Sequence, residues 1–369
     1  MSADTEFAAT ATIDLAALQS NLAVFRRARP GAPIMAMVKA NAYGHGLVPV
    51  AQALDSADSL AVARISEATA LRTAGIQKPL VLLEGVFTAE EWQQAVALEC
   101  ELVVHTQEQI ELMRGAAAQP DVIWVKVNTG MNRLGFRAGA FADVVRTIRS
   151  IAPAVEYRLM SHFADADTEG SALSATQLRQ LESLLANWSG AISLENSPAS
   201  LTGLAVDLDQ RTASEVWMRP GIGLYGISPL PEATDPRAAA LLPVMELSAR
   251  VIAVQELVPG DRVGYGGRFA AATPMRIGIV AAGYGDGYPR MMPDGAPVLV
   301  DGQPSRIVGR VSMDMLAIDL SDNPDSGFGS IVTLWGKQLS AQRVAEQIGT
   351  IGYELVTRVS DRVQRVYTR

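Results

Sequence analysis

Eight short apolar runs, separated by helix-like stretches, lie between residues 34 and 218 and constrain the fold more than any other feature of the sequence. Apolar strands that alternate with amphipathic helices predict a parallel sheet covered by helices. Eight repeats favour an α/β fold of the (β/α)8, TIM-like barrel type, with a doubly wound sheet as the alternative. The runs are IMAMV (34–38), SLAVA (59–63), PLVLL (79–83), ELVVH (101–105), DVIWVKV (121–127), VEYRLM (155–160), AISLE (191–195) and EVWM (215–218).

The rest of the chain predicts a second, all-β domain. After about residue 235, strand-like segments alternate with turn signals, which indicates a barrel domain over 1–235 and a β-sheet domain over 236–369. One helix is expected near 340–349 and a terminal strand near 361–368. The strand-like piece at 11–14 has no place in an eight-strand count, so we expect it to pair with the C-terminal domain.

Composition and charge exclude several classes of function. The net charge is −8 without basic runs, so neither nucleic acid nor an anionic membrane is an expected partner. The single cysteine, Cys100, excludes an intrachain disulfide, and with only three histidines we expect no metal site. Asp4 and Glu6 precede any apolar stretch, unlike a secretory leader, which predicts a cytoplasmic protein.

Reactive side chains follow five of the eight predicted strands. In a barrel, the carboxyl ends of the strands meet at one face, where active sites form. One active site would explain the pattern, but ordinary polar loops fit it as well. The residues are Lys39 after the first strand, Arg133 after the fifth, His162 after the sixth, Ser197 after the seventh and Arg219 after the eighth.

Lys39 and the last two barrel loops together predict a cofactor. A lysine that ends an apolar strand is desolvated, which lowers its pKa and favours a Schiff base, although a lysine extending to solvent fits the same position. The loops at 196–200 and 219–223 offer backbone N–H groups and the Ser197 hydroxyl to a phosphate, or else form a simple helix start. The combination predicts a cofactor with an aldehyde and a phosphate.

Beyond these patterns, the chain resembles the alanine racemase family over both domains. KANAYGHG at 39–46 matches the family's cofactor motif, and it is followed in the family's order by KVNTGMNRLGF, MSHFADAD, ENSPA, MRPGIGLYG, VGYG, AAGYGDGYPR, VGRVSMDM and TIGYELVTRVSDRV. The resemblance implies an enzyme that interconverts L- and D-alanine with pyridoxal 5'-phosphate. It also implies a head-to-tail homodimer, in which each active site combines one subunit's barrel with the partner's β domain.

The resemblance further implies roles for individual residues. Lys39 would bind the cofactor as an aldimine and then act as a base on one face of the substrate α-carbon, with Tyr265 of the other subunit on the opposite face, since inversion requires two such groups. Arg219 would face the pyridine nitrogen, and Lys126 matches a lysine that is carbamylated in several members. Cofactor contacts are implied for Tyr43, His162, Ser197, Arg219, Gly221, Ile222 and Tyr353, and substrate contacts for Arg133, Met313 and Tyr284.

Two other functions fit parts of the sequence: a racemase of broader specificity, and a pyridoxal-phosphate carrier without turnover. Broader racemases are often exported, unlike a protein with this N-terminus, and small carriers resemble the barrel alone. The complete β domain therefore favours an alanine racemase. Structural roles also fit single residues, such as a strand tyrosine for Tyr265, a core histidine for His162 and a rim salt bridge for Arg219.

Overall fold

The computed structural model describes residues 7–186, 188–205, 215–231 and 235–369. Within these ranges the chain folds into a barrel followed by a β-sheet domain. The first residues of the predicted barrel segment, Asp4 and Glu6 among them, lie outside the described part of the chain.

Eight parallel strands form the barrel, one at each of the predicted apolar runs, and two of them, Cys100–Val104 and Val122–Asn128, extend one residue beyond their runs. Neighbouring strands pair in parallel, and a parallel bridge between Ile34 and Met218 closes the barrel from its last strand to its first. The predicted (β/α)8 barrel is therefore confirmed over the doubly wound alternative. After an N-terminal β1 (Thr10–Asp14), the barrel strands are β2 (Met35–Met37), β3 (Ser59–Val62), β4 (Leu80–Leu82), β5 (Cys100–Val104), β6 (Val122–Asn128), β7 (Glu156–Met160), β8 (Ile192–Glu195) and β9 (Val216–Met218).

Helices cover the outer face of the barrel, and several begin at a residue whose side chain accepts a backbone N–H, as Thr88 and Thr106 do. Within the described ranges, no helix is long and apolar enough to cross a bilayer. In chain order the barrel helices are α1 (Leu15–Ala28), α2 (Leu47–Ala53), α3 (Ile65–Thr73), α4 (Ala89–Ala97), α5 (Gln107–Gly115), α6 (Phe141–Ile151), α7 (Ala172–Leu185) and α8 (Ser197–Thr202).

Large side chains fill the barrel interior. Met35, Met37 and Met160 pack there with smaller apolar residues. The Arg158 guanidinium lies 5.4 Å from the ring centroids of both Trp124 and Trp217, whose rings contact each other edge to face, so these three side chains pack together.

A mostly antiparallel sheet forms the C-terminal domain. Strand β1 lies in this sheet, antiparallel to the Met245–Leu257 strand and parallel to the Gln364–Thr368 strand. The first strand of the chain therefore lies between the first and the last strands of the C-terminal domain. The domain contains β10 (Met245–Leu257), β11 (Met275–Val280), β12 (Pro297–Val300), β13 (Gln303–Arg306), β14 (Leu316–Asp319), β15 (Ile331–Trp335), α9 (Ala341–Glu346), α10 (Gly352–Thr357) and β16 (Gln364–Thr368).

Candidate active site

A cavity of about 940 Å³ opens at the carboxyl ends of the barrel strands. The fold brings residues from distant parts of the barrel, and residues of α10, to this single space. Ten of the residues singled out from the sequence line it: Lys39, Tyr43, Lys126, Arg133, His162, Ser197, Arg219, Gly221, Ile222 and Tyr353.

Lys39 lies two residues beyond the end of β2 and begins an unusual backbone turn. Its side chain is largely surrounded by protein, and this burial, reinforced by the charge of Arg133, lowers the pKa of its ammonium group. The next four residues, Ala40 to Tyr43, all have left-handed backbone angles, with φ between 51° and 54°. Residues with a Cβ atom rarely adopt this conformation in series, so other contacts must hold the turn.

Arg219 is buried beneath the cavity floor and is fixed by hydrogen bonds. Its Nη1 donates to Ser193 Oγ at 2.7 Å, and its Nη2 donates to the Ser161 carbonyl at 2.6 Å. Nη2 also lies 3.0 Å from Nδ1 of His162. Because a guanidinium can only donate, this imidazole nitrogen must accept, and burial together with Arg219 holds the pKa of His162 well below its usual value. His162 is therefore neutral at physiological pH.

Lys126 projects from β6 into the same cavity. Burial is the main reason that its pKa falls to about 7, and the charges of Arg219, Arg133 and Lys39 lower it further. A lysine with this pKa is largely uncharged at mildly alkaline pH, so its amine is a nucleophile there.

A polar pocket lies between the loops that follow β8 and β9. Ser197 Oγ accepts hydrogen bonds from the backbone N–H of Gly221 at 2.8 Å and of Gly223 at 3.4 Å, so its own hydrogen is available to a ligand. Beside it, the Tyr43 ring stacks on Tyr225 with centroids 4.8 Å apart. A Cβ atom at Gly221 would lie 2.4 Å from Tyr43 Oη, so only glycine leaves room for this hydroxyl.

Three predicted site residues do not line the cavity. Tyr265, Tyr284 and Met313 lie in the β domain, and 71%, 38% and 53% of their surfaces are exposed. Tyr265 follows the short strand Arg262–Val263, which pairs with Phe269–Ala270. Within a single chain, these three residues therefore lie away from the barrel mouth.

The turns that carry Tyr284 and Met313 are bonded to each other. Tyr284 N–H donates to the Ser312 carbonyl at 3.0 Å, and Gly285 N–H donates to the Met313 carbonyl at 2.8 Å. Both turns therefore present their exposed side chains from one fixed unit.

Arg362 adds an ionic clamp across these two turns. Its Nε donates to Asp286 at 2.7 Å, and its Nη1 donates to Asp314 at 2.8 Å. Since Asp286 closes the first turn and Asp314 follows Met313, one guanidinium connects both.

Comparison with known proteins identifies the family to which this chain belongs. Residues 13–229 match the family described as alanine racemase, N-terminal domain, and residues 244–367 match the alanine racemase C-terminal domain. A protein of Nitrosomonas eutropha named alanine racemase is 48% identical over 359 residues, which cover 96% of this chain and 98% of that protein. The chain belongs to the alanine racemase family.

Solved alanine racemases share the whole fold. The biosynthetic alanine racemase of Pseudomonas aeruginosa is 44% identical, with a TM-score of 0.90 over 98% of this chain and 99% of that one. The alanine racemase of Bartonella henselae, described with covalently bound pyridoxal phosphate, is 27% identical, with a TM-score of 0.87 over 98% and 99% of the two chains. The family and the racemase activity expected from the sequence are confirmed, and the chain is an isomerase.

Three features of this alanine racemase site were missed from the sequence. Glu67, at the start of α3, bonds the turn after Lys39, and the only available signal was an acidic residue in the first turn of a predicted helix. Tyr225 supports Tyr43 without any pattern that would have marked it. The clamp connects Arg362 to residues about 50 and 75 positions earlier in the chain, and sequence periodicity does not reveal contacts over such separations.

Proposed function

We propose that the chain racemises alanine with pyridoxal 5'-phosphate bound covalently at Lys39, in a homodimer whose two active sites are each shared between subunits. The observation that carries this proposal is the single cavity that contains both Lys39, with its lowered pKa, and the Ser197–Gly221 pocket. The covalent cofactor of the Bartonella henselae relative adds support. The cytoplasmic location expected from the sequence stays a prediction.

The charges and contours of the barrel mouth fit an anionic phosphate cofactor. Lys39, Lys126, Arg133 and Arg219 all line the cavity, and the Arg and Lys charges lower the pKa values of both lysines. An anion in this space would relieve that repulsion. Burial raises the pKa of Tyr43 to about 12, so its hydroxyl stays protonated and can donate to phosphate. The proposed phosphate contacts are Tyr43, Ser197, Gly221, Ile222 and Tyr353.

Lys39 is the first of the two proposed acid–base groups. When bound, pyridoxal phosphate supplies an aldehyde that reacts with amines and a ring that withdraws electrons from the substrate. Only a neutral amine can accept the α-proton, and the lowered pKa of Lys39 raises the neutral fraction near pH 7. Lys39 Nζ would therefore hold the proton on one face of the α-carbon.

Tyr265 of a second copy is the proposed acid–base group on the other face. In its own chain this side chain is exposed and does not reach the cavity. Tyr284 and Met313 are likewise exposed, on two turns that are bonded to each other, and a cluster of exposed apolar side chains is typical of an interaction surface. A head-to-tail dimer would place this β-domain surface over the partner's barrel mouth.

Arg219 is proposed to face the pyridine nitrogen of the cofactor. A guanidinium has no acceptor and keeps its proton, so the ring nitrogen beside it would stay unprotonated. Burial lowers the pKa of Arg219 to about 10, which still leaves it charged at neutral pH. The neutral His162, bonded to Arg219, would keep that guanidinium in place.

The substrate carboxylate is proposed to bind Arg133 and the backbone N–H of Met313 from the second copy. Tyr284 of that copy and Tyr353 would narrow the entrance and restrict the substrate side chain to a size near methyl. Lys126 is proposed to carry a carbamate, because its pKa of about 7 provides the neutral amine that reacts with carbon dioxide. A carbamate would reverse the repulsion between Lys126 and Arg133.

Mixing inactive subunits tests the shared site directly. Lys39→Ala and Tyr265→Ala proteins should each be inactive, whereas randomly mixed dimers should regain about a quarter of wild-type racemisation, because each mixed dimer has one intact site. Mixing wild type with the Lys39→Ala/Tyr265→Ala double variant is the control, since every mixed dimer then has two defective sites. No recovery in the first mixture would overturn the shared-site proposal.

Substrate range and cofactor spectra separate the alternative functions. Turnover of L-serine or L-arginine comparable with that of L-alanine would identify a racemase of broader specificity. A yellow protein that binds pyridoxal phosphate but does not racemise any of these amino acids would be a carrier.

A further inference from the structure

The left-handed turn after Lys39 is held by a residue outside the cavity. Glu67 Oε1 accepts hydrogen bonds from the backbone N–H of Ala40 at 2.6 Å and of Asn41 at 3.4 Å. These are the first two residues after Lys39, and both have positive φ angles. The carboxylate therefore holds the backbone next to the reactive lysine in a conformation that residues with a Cβ atom avoid.

The second oxygen of Glu67 anchors the same side chain to the next strand. Oε2 accepts from the N–H of Ala63 at 3.0 Å and of Arg64 at 3.1 Å, directly after β3 and at the start of α3. One carboxylate thus receives four backbone donors and connects the carboxyl ends of two neighbouring barrel strands. Such bonds to a charged acceptor are stronger than neutral ones.

Glu67 also acts on Lys39 through its charge. Burial and Arg133 lower the pKa of Lys39, whereas Glu84 and Glu67 raise it. The turn also has a separate tie to α2, because Asn41 Oδ1 accepts from Leu47 N–H at 2.8 Å. Loss of Glu67 would therefore release the backbone N–H groups of Ala40 and Asn41 while the Asn41 side chain stays bonded to α2.

We propose that Glu67 is a positioning residue that holds Lys39 in the orientation needed for covalent attachment of an aldehyde cofactor. The proposal rests on the proposed function, in which Lys39 is the attachment point. It predicts that the Glu67 carboxylate contributes to the covalent step and much less to binding of the phosphate.

A glutamine at position 67 cannot replace the carboxylate. Both oxygens of Glu67 accept from N–H donors, but an amide has one acceptor oxygen and one donating nitrogen, so it can serve only one of the two pairs. Glu91 provides a matched control at the same position of the next helix. It is the third residue of α4, and its Oε2 accepts from Phe87 N–H at 2.8 Å, but it does not contact the Lys39 turn.

The test compares two phosphate ligands in wild type, Glu67→Gln and Glu91→Gln proteins freed of cofactor. Pyridoxal 5'-phosphate can react with Lys39, whereas pyridoxine 5'-phosphate lacks the aldehyde. In Glu67→Gln we expect affinity for pyridoxal phosphate to fall by about 10- to 100-fold, the range for a lost bond to a charged group, and affinity for pyridoxine phosphate by less than about threefold. Glu91→Gln should change neither by more than about threefold.

An equal loss for both ligands in Glu67→Gln, or an equal effect in Glu91→Gln, would overturn the proposal. Failure of the proposed function would look different: the wild-type imine absorbance would be missing, or it would survive Lys39→Ala. Adding Ala40→Gly to Glu67→Gln supplies a second measurement, because glycine adopts positive φ without support. We expect it to recover part of the lost pyridoxal phosphate affinity, and no recovery would contradict a role in holding the turn.

Discussion

In the barrel mouth Lys39, Lys126, His162 and Arg219 are largely surrounded by protein and their pKa values are lowered, whereas at the edge of the β domain the proposed site residues are exposed. Lys126 has a pKa of about 7 and Arg219 is 4% exposed. Tyr265, by contrast, is 71% exposed. The barrel half obtains its chemistry from its own surroundings, but in the proposed dimer the β-domain half would obtain it from the partner subunit.

The two halves are also made rigid in different ways. The barrel half is held by the parallel sheet and by the Glu67 carboxylate, which bonds the backbone turn after Lys39. The β-domain half is held by backbone bonds between two turns and by the Arg362 ion pairs. We therefore expect substitutions in the barrel half to change cofactor loading, and substitutions in the β-domain half to leave loading intact and change turnover.

The largest expected effect separates Lys39 from Tyr265. Lys39→Ala should abolish the covalent chromophore and lower racemisation by at least about 1,000-fold, because the cofactor is no longer attached and one acid–base group is lost. Tyr265→Phe should lower racemisation by about 100- to 10,000-fold, with the chromophore unchanged. Visible absorbance and alanine racemisation, measured on the same preparations, test both. Loss of the chromophore in Tyr265→Phe would break the distinction between the halves.

Gly221→Ala should weaken cofactor loading by about tenfold, because the added Cβ would lie 2.4 Å from Tyr43 Oη and force this ring to move. At saturating pyridoxal phosphate, kcat should stay within about threefold of wild type, since neither acid–base group moves. Equilibrium titration with the cofactor measures the first effect. A large fall in kcat with normal cofactor affinity would argue against a phosphate site at this position.

The pattern of residues in the sequence was sufficient to predict the barrel, because each strand carries its own apolar run. The eight strands formed at the predicted runs, to within one residue at their ends, and β1 lies in the C-terminal sheet. The strand ends also placed Lys39 and Arg219 at one face. These features depend on local hydrophobicity and on chain order, which the sequence displays directly.

Other features depend on contacts that a single sequence does not display. Nothing in Ala40, Asn41 and Ala42 predicts a left-handed turn, because the bonds that stabilise it come from Glu67. The role of Tyr265 could not be inferred from the chain alone, since the single chain leaves it exposed. It came from the family resemblance, because the site that it is proposed to complete belongs to a second copy.

Arg362→Ala tests whether the ionic clamp matters for the β-domain half. Without it, the turns carrying Tyr284 and Met313 lose their shared partner, so we expect KM for alanine to rise by about 3- to 10-fold while cofactor loading stays normal. Arg306→Ala is a matched control, because Arg306 is a half-exposed arginine paired with the buried Asp319 in the same domain. Equal changes in KM for both variants would show that the Arg362 ion pairs support the sheet in general and do not specifically position the two turns.

The expected effects on stability have opposite signs in the two halves. Lys126 has a pKa of about 7 in the folded chain and about 10.4 as an ordinary lysine, so between these values the unfolded chain binds a proton that the folded chain lacks. Stability should therefore rise with pH across this window, and the penalty should be complete below about pH 7. Each unit of pKa difference is worth about 1.4 kcal/mol, so Lys126→Met should stabilise the cofactor-free protein by about 4 kcal/mol at pH 7, with the gain vanishing above about pH 10.5.

Arg362 should respond in the other direction. Hydrogen bonds to Asp286 and Asp314 raise the pKa of its guanidinium, so its charge stabilises the fold and Arg362→Met should lower the denaturation midpoint. Denaturant titrations from pH 6 to 10, in buffer depleted of carbon dioxide to prevent carbamylation, measure both variants. If Lys126→Met is less stable than wild type at pH 7, the lysine is not destabilised by burial and by the neighbouring charges in the barrel mouth. The proposed carbamate would then lose its physical basis, because its formation depends on the neutral amine that burial and repulsion together produce.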